Sequence, residues 1–206
     1  MDQTNRETYE DIAKEFSATR HTPWKCVRDF ASQTRDKTVL EVGCGNGKNM
    51  AYLQTRHDAA VIGVDTCRNF VDMCEARGLM AVVAAANSLP FPNSRFDAVL
   101  CIAMFHHLLT EQDRDAAFRE MIRVLKPGGR GILTCWSTIQ PANSKFTFTE
   151  GLNIVPWNKK QTRHYYVWSE TMFRNYFESF EITIERIYNE CGNWILLFHK
   201  LGVDNS

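Results

Sequence analysis

Gly43, Cys44, Gly45, Asn46 and Gly47 break an apolar run, Thr38-Val39-Leu40-Glu41-Val42, and polar, helix-compatible sequence follows them. Glycines at alternate positions make a bend with no Cβ in the way, so a ligand can lie against the backbone. The N–H groups of such a bend, with the helix N-terminus after it, favour an anionic group. A second apolar run, Val61-Ile62-Gly63-Val64, ends in Asp65. That is about twenty residues on, where a carboxylate can accept hydrogen bonds from a ribose diol. Bend and acid together predict a site for a ribose-bearing cofactor. The third glycine comes one residue earlier than in G-x-G-x-x-G, and no hydride-site pattern accompanies it, which weakens a nicotinamide reading.

Two further groups of residues could do chemistry. His106 and His107 follow the apolar run 97–103, on the side where α/β sheets bind ligands. One can line a reaction path, while the bland expectation for the other is a satisfied core histidine. The stretch 137–168 carries Phe146, Phe148, Trp157, Lys159, Lys160, Arg163, His164, Tyr165, Tyr166 and Trp168. A connection this long in a compact domain is usually functional. Aromatic surfaces beside cations suit unstacked bases and phosphates, so RNA is the favoured ligand; a lid over the core is the alternative.

The elements that must position these residues follow from periodicity. Tyr9, Ile12, Ala13 and Phe16 fall at helical spacing, and Thr22-Pro23 reads as the start of a second helix burying Trp24, Val27, Phe30 and Ala31. Strands are expected at 38–43, 61–65, 80–85, 97–103 and 130–136. Between them lie a helix at 68–77 with Gly78 as its C-cap and another opened by a Thr110–Asp113 capping box. A helix at 169–178 and a strand pair, 181–188 and 193–200, close the chain. The pattern predicts an α/β fold with a doubly wound, mostly parallel sheet. Residues 1–37 would be a helical cap and 137–168 a substrate-side insertion within one domain spanning 1–206. The apolar third strand, Met80 to Ala85, invites pairing with another chain if it is an edge.

Bulk properties narrow the class. The 206 residues carry 24 Lys and Arg against 24 Asp and Glu, a balance that argues against strong non-specific nucleic-acid binding. The first seven residues lack the apolar core of a secretory signal, and no apolar stretch approaches the ~20 residues of a membrane span. Seven cysteines without a Cys-x-x-Cys pair read as reduced thiols of a cytosolic or nuclear protein, with no metal site expected.

The motifs also carry a family resemblance. Glu41 to Gly47 resembles motif I of the class I S-adenosylmethionine-dependent methyltransferases, and Arg123-Val124-Leu125-Lys126-Pro127-Gly128-Gly129 resembles the segment before their fifth strand. Tyr9-x-x-Ile12-Ala13-x-x-Phe16-Ser17-x-Thr19-Arg20-x-x-x-Trp24, Leu89-Pro90-Phe91, Ile102 to Leu108, Val155-Pro156-Trp157, Arg163-x-Tyr165-Tyr166 and Asn193-Trp194 resemble the eukaryotic tRNA (carboxymethyluridine) methyltransferases. The resemblance runs from residue 9 to residue 198. It implies the seven-stranded Rossmann-like sheet and the cofactor S-adenosylmethionine, with S-adenosylhomocysteine as product. The implied reaction is methylation of the 5-carboxymethyluridine carboxylate at the tRNA wobble position. It also implies a small zinc-binding activator protein, placed here on the edge strand Met80 to Ala85.

Residue by residue, the resemblance implies cofactor contacts at Gly43, Cys44, Gly45, Asn46, Gly47, Asp65, Asn87, Ser88 and Ala103. Arg20, His106 and Arg163 become the catalytic candidates, because a planar guanidinium matches a carboxylate. Arg20 is equally placed for the methionine carboxylate of the cofactor. The anticodon loop would meet Trp157, Lys159, Lys160, Tyr165, Asn193 and Trp194. The sequence departs from the family at Ala85, where an aspartate is usual, and at Tyr166, where a histidine is usual. Those departures keep two alternatives open: a small-molecule carboxylate methyltransferase, or a catalytically weakened paralogue acting as a binding partner.

Overall fold

The computed structural model describes residues 3–34, 37–157 and 161–202. Two helices come first, α1 (Gln3–Ser17) and α2 (Lys25–Ala31). The alternating part follows: β1 (Thr38–Val42), α3 (Lys48–His57), β2 (Ala60–Asp65), α4 (Arg68–Glu75), β3 (Met80–Val83) and β4 (Phe96–Cys101). After a 3₁₀ turn at Phe105–His107 come α5 (Glu111–Val124) and β5 (Leu125–Trp136). A hairpin, β6 (Gly151–Pro156) and β7 (Thr162–Val167), precedes α6 (Glu170–Glu178), β8 (Ile182–Glu190) and β9 (Asn193–Lys200).

Seven strands form one sheet in the order β3-β2-β1-β4-β5-β9-β8, and β6 and β7 pair separately. The first five are parallel, while β9 runs antiparallel to both β5 and β8. This is the α/β, doubly wound, mostly parallel sheet expected from the alternation. Helices cover both faces because the central strands are apolar on both sides. Val27, Phe30, Met50, Leu53 and Val71 fill one face; Phe118, Met121, Phe173, Phe177 and Phe198 fill the other.

Local chemistry sets the boundaries. Thr110 caps α5, its hydroxyl accepting from the Asp113 N–H. The start of α2 differs from the expectation: Trp24 is its N-cap, extended and without a side-chain cap bond, so Thr22 lies outside. Within the expected insertion, residues 151–167 form the β6–β7 hairpin. Arg163, Tyr165 and Val167 are buried while Thr162, His164 and Tyr166 are more exposed, a period-two pattern masked by the aromatic and basic composition. The hairpin closes a small core of Phe148, Val155, Tyr165 and Val167 against Trp136.

One contact makes the sheet sensitive to a single methyl. Gly131 on β5 lies opposite Phe198 on β9, and a Cβ there would overlap the Phe198 ring. Phe198 is itself fixed against Phe118, at 5.2 Å between ring centroids. Gly131→Ala is expected to cost about 1–3 kcal/mol, read as a lower thermal midpoint by calorimetry.

Candidate active site

The carboxyl ends of β1, β2 and β4 open into a cavity of about 1000 Å³, its open mouth included. Gly43, Cys44, Gly45 and Asn46 form one wall, with Glu41, Lys48 and Asp65 beside them. Ala84, Ala86, Ile102, Ala103 and Met104 form the wall beyond β3 and β4. Tyr9, Phe16, Arg20, Trp24, Phe70 and His107 close the mouth.

The bend is held open by its acid. Asp65 Oδ2 accepts the Gly45 N–H at 2.9 Å and Oδ1 accepts the Cys67 N–H at 2.9 Å. Burial pushes this carboxyl up, and its hydrogen bonds from the Cys67 and Gly45 backbone pull it back. Gly43 is left-handed at φ 74, and a Cβ there would overlap Met104. Gly45, also left-handed, has open space where its Cβ would be. Gly47 does not line the cavity. A Cβ at that position would meet Leu79 and Cys74, so its role is close helix packing.

Asn46 spends its amide on the protein. Nδ2 donates to Ser17 Oγ at 3.0 Å and to the Arg20 carbonyl at 2.9 Å. The glycine bend thereby clasps the joint after α1 and brings Arg20 to the mouth. Ala103 also lines the cavity. It is held left-handed at φ 55, and its N–H donates to Thr134 Oγ1 at 2.8 Å.

Asn87 and Ser88 are not on the wall. The Asn87 amide donates to Asp113 Oδ1 at 2.9 Å, and the Ser88 N–H donates to the Ala85 carbonyl at 3.1 Å. The cofactor contact expected of Asn87 is therefore corrected. Its amide is taken by the first turn of α5.

Arg20 brings a cation to the mouth, whereas Trp157 and Arg163, packed beside it, are not on the cavity wall. Arg20 stacks over Phe16, its guanidinium carbon 3.6 Å from the ring centroid, and lies 5.7 Å from the centroid of Trp157. Arg163 lies over the same indole at 4.7 Å. Neither arginine makes an ion pair among the described residues, and Arg163 Nε is buried without a hydrogen-bond partner. Burial lowers the Arg20 pKa, and the like charge of Arg163 lowers it further. Trp157 is positioned by Glu15, whose Oε2 accepts its Nε1–H at 3.1 Å.

The histidines divide differently from the expectation. His106 is fully enclosed, accepts the Trp136 N–H on Nδ1 at 3.3 Å, and is absent from the cavity wall. His107 is the one on the wall. Its Nδ1 lies 3.2 Å from the His164 carbonyl, and a carbonyl can only accept, so Nδ1 carries the proton. Nε2 is then the acceptor for the Tyr9 hydroxyl at 3.1 Å. Burial pushes His107 down to about 3, with the Arg163 charge adding to it.

Other candidates are corrected by burial. Tyr165 stacks on Trp136 at 4.0 Å and 12°, inside the hairpin core, so it is not free to receive a base. Trp194 belongs to the main core, its Nε1–H donating to the Trp168 carbonyl at 3.0 Å. Asn193 sits at the β8–β9 turn, donating to the Cys191 carbonyl at 3.2 Å with Oδ1 unpartnered. Lys159 and Lys160 lie outside the described residues.

Residues 40–133 match the family described as "Methyltransferase domain". A putative methyltransferase of Encephalitozoon cuniculi is 34% identical over 166 residues, 77% of this chain and 76% of that protein. The chain belongs to the methyltransferase family. It is also 46% identical over 133 residues to the tRNA (carboxymethyluridine(34)-5-O)-methyltransferase alkbh8 of Xenopus tropicalis, covering 64% of this chain but 21% of that protein. Among solved structures, the complex between the Haloferax volcanii Trm112 methyltransferase activator and the putative methyltransferase superposes with a TM-score of 0.75. That match has 15% identity and covers 98% of this chain and 100% of the other. At that identity the likeness is one of fold.

The fold family implies S-adenosylmethionine, and this methyltransferase has donors that fit it. Asp65 suits a ribose diol and the aromatic mouth suits a sulfonium. Glu41 supplies the missing anion. It lines the cavity, Oε1 accepts the Asn49 amide at 2.6 Å, and Oε2 is buried with no partner. Sequence reading passed over Glu41, though an acid inside an apolar strand was the signal. Burial raises its pKa to about 7. A folded pKa above the ordinary 4.5 means that the apo protein loses stability as pH rises from about 4.5 to 7. Glu41→Gln is therefore expected to stabilise the apo protein at pH 8, by on the order of 3 kcal/mol at most, read as a higher melting point. It should weaken S-adenosylmethionine binding in calorimetry, where the wild-type affinity rises as pH passes 7.

Proposed function

We propose that this methyltransferase esterifies a carboxylate carried by tRNA, that of 5-carboxymethyluridine at the wobble position. The observation that supports the reading is the pair of guanidiniums beside Trp157, neither of which forms an ion pair among the described residues. A carboxylate entering there supplies the missing charge, and a guanidinium fork matches its two oxygens.

Bound S-adenosylmethionine supplies an electrophilic methyl on a sulfonium. The protein's own task is modest, since a carboxylate with an unperturbed pKa of ~4 is already ionised at neutral pH and needs no general base. His107, held neutral, has no proton to remove. Arg20 and Arg163 bind and orient the acid, while Phe16, Tyr9 and Trp157 exclude water from the attacking oxygen. Two cations gripping one carboxylate strongly would favour the ground state over the transition state. Arg20 is only half-buried, so water screens part of that grip.

The partner reading rests on the sheet edge. Met80, Val82 and Val83 of β3 are 61%, 37% and 44% exposed, an apolar edge that soluble proteins ordinarily charge or cover. A small zinc-binding activator protein pairing along β3 would cover it, and the archaeal complex of the same fold carries a Trm112 activator. Val82→Lys is expected to abolish co-purification with such an activator while leaving the isolated chain folded, as judged by circular dichroism.

The direct test is mass spectrometry of tRNA nucleosides after incubation with the chain, activator and cofactor. The expected product is the carboxymethyluridine methyl ester; cofactor binding with no ester formed would end this reading. Arg163→Ala should lower kcat/KM roughly ten- to a hundred-fold, the range for lost charge-assisted hydrogen bonds. Cofactor affinity in calorimetry should not change.

A further inference from the structure

The joint between α1 and α2 is tied to the glycine bend by one side chain. Most of its hydrogen bonds are local. The Ala18 N–H donates to the Lys14 carbonyl, the Arg20 N–H to the Ser17 carbonyl and Thr19 Oγ1 to the Phe16 carbonyl. The His21 ring reaches only the Ala18 carbonyl. Arg20 Nη1 donates to Thr19 Oγ1 at 2.7 Å and to the Phe16 carbonyl at 3.2 Å, which lays the guanidinium on the Phe16 ring. Among the described residues, the hydrogen bonds that take residues 17–22 beyond α1 and the joint come from Asn46 alone. Its Nδ2 donates to Ser17 Oγ at 3.0 Å and to the Arg20 carbonyl at 2.9 Å.

The Asn46 amide has one possible orientation. The Arg20 carbonyl can only accept, and the Lys48 N–H, 3.3 Å from Asn46 Oδ1, can only donate. Both amide hydrogens are therefore spent on the joint, although Asn46 lines the cofactor cavity. Its backbone is anchored in turn. The Asn46 carbonyl accepts from Arg77 Nη1, the Gly45 carbonyl accepts from Cys74 Sγ at 3.3 Å, and Asp65 holds the Gly45 N–H. An anchored bend thus grips a segment that is otherwise bonded only to itself and to α1.

We propose that Asn46 is the positioning residue for Arg20, holding the joint so that the guanidinium stays at the cavity mouth to meet the incoming carboxylate. The inference rests on the carboxylate-methylating reading above. It adds that a residue of the cofactor bend serves the substrate, and that its amide gives the cofactor no hydrogen. Asn46 touches neither reacting atom and acts through Arg20.

The test is Asn46→Ala, alone and with Arg20→Ala, in the full chain with its activator. Misplacing a substrate-holding cation by a fraction of an ångström should lower kcat/KM about ten-fold. Cofactor affinity by calorimetry should stay within roughly three-fold of wild type, because no cofactor hydrogen bond to the amide is lost. The double variant should be no worse than Arg20→Ala alone, since nothing is then left to position. Losses that multiply, or Asn46→Ala at wild-type rate, overturn the proposal while leaving the reaction standing. A wild-type chain that binds the cofactor but esterifies no carboxylate overturns the reaction and this proposal with it. If Asn46→Ala melts below the assay temperature, exchange of the Asn46 side-chain amide hydrogens in the wild-type chain decides instead. Exchange at least about ten-fold slower than that of an exposed asparagine is expected; equal exchange overturns the tie.

Discussion

Two like charges held against one indole ring, neither of them ion-paired among the described residues, form the constraint from which the rest of the arrangement follows. Arg20 and Arg163 repel, and each loses hydration where it lies. Such a pair persists when the surroundings over-determine it. Arg20 is carried on the Phe16 face and tethered through its carbonyl to Asn46 of the glycine bend. Arg163 is carried on a buried strand position of the hairpin and shares Trp157. The two supports come from opposite ends of the chain and meet across α1. Cost at this point is what an anionic ligand can relieve.

The cofactor half shows the same economy. Asp65 serves the glycine bend and the entry to α4 with separate oxygens, so the end of β2, the bend and a helix start share one carboxylate. Asn46 then joins that bend to the chain before α2. Filling the cofactor half therefore bears on the cation-lined half through Asn46 and Arg20, within bonding distance throughout. Glu41 stores a second cost, a buried carboxyl oxygen with nothing to bind.

Legibility in the sequence followed how local each signal was. The alternation of apolar runs and amphipathic segments gave the sheet and its helices, since burial on both faces leaves little else for strands such as β1 and β4. Gly43, Gly45 and Asp65 were legible because backbone conformation and a strand-end acid are local properties. Asn87, Tyr165 and Trp194 were not, because the partner that claims each side chain is distant in sequence. Asp113 takes the Asn87 amide and Trp136 takes the Tyr165 face. The choice between His106 and His107 turned on the carbonyl of His164, 57 residues away. The hairpin was missed because its aromatic residues also suited nucleic-acid contact, and the alternation beneath was short.

The central claim concerns what the cationic mouth is for, and binding tests it without the chemistry. An anticodon stem-loop bearing 5-carboxymethyluridine is to be titrated into the chain with its activator and S-adenosylhomocysteine, beside the same stem-loop bearing the methyl ester. The account predicts that the acid binds at least about ten-fold more tightly, consistent with one charge-assisted contact to a guanidinium. Equal affinity for acid and ester would contradict it.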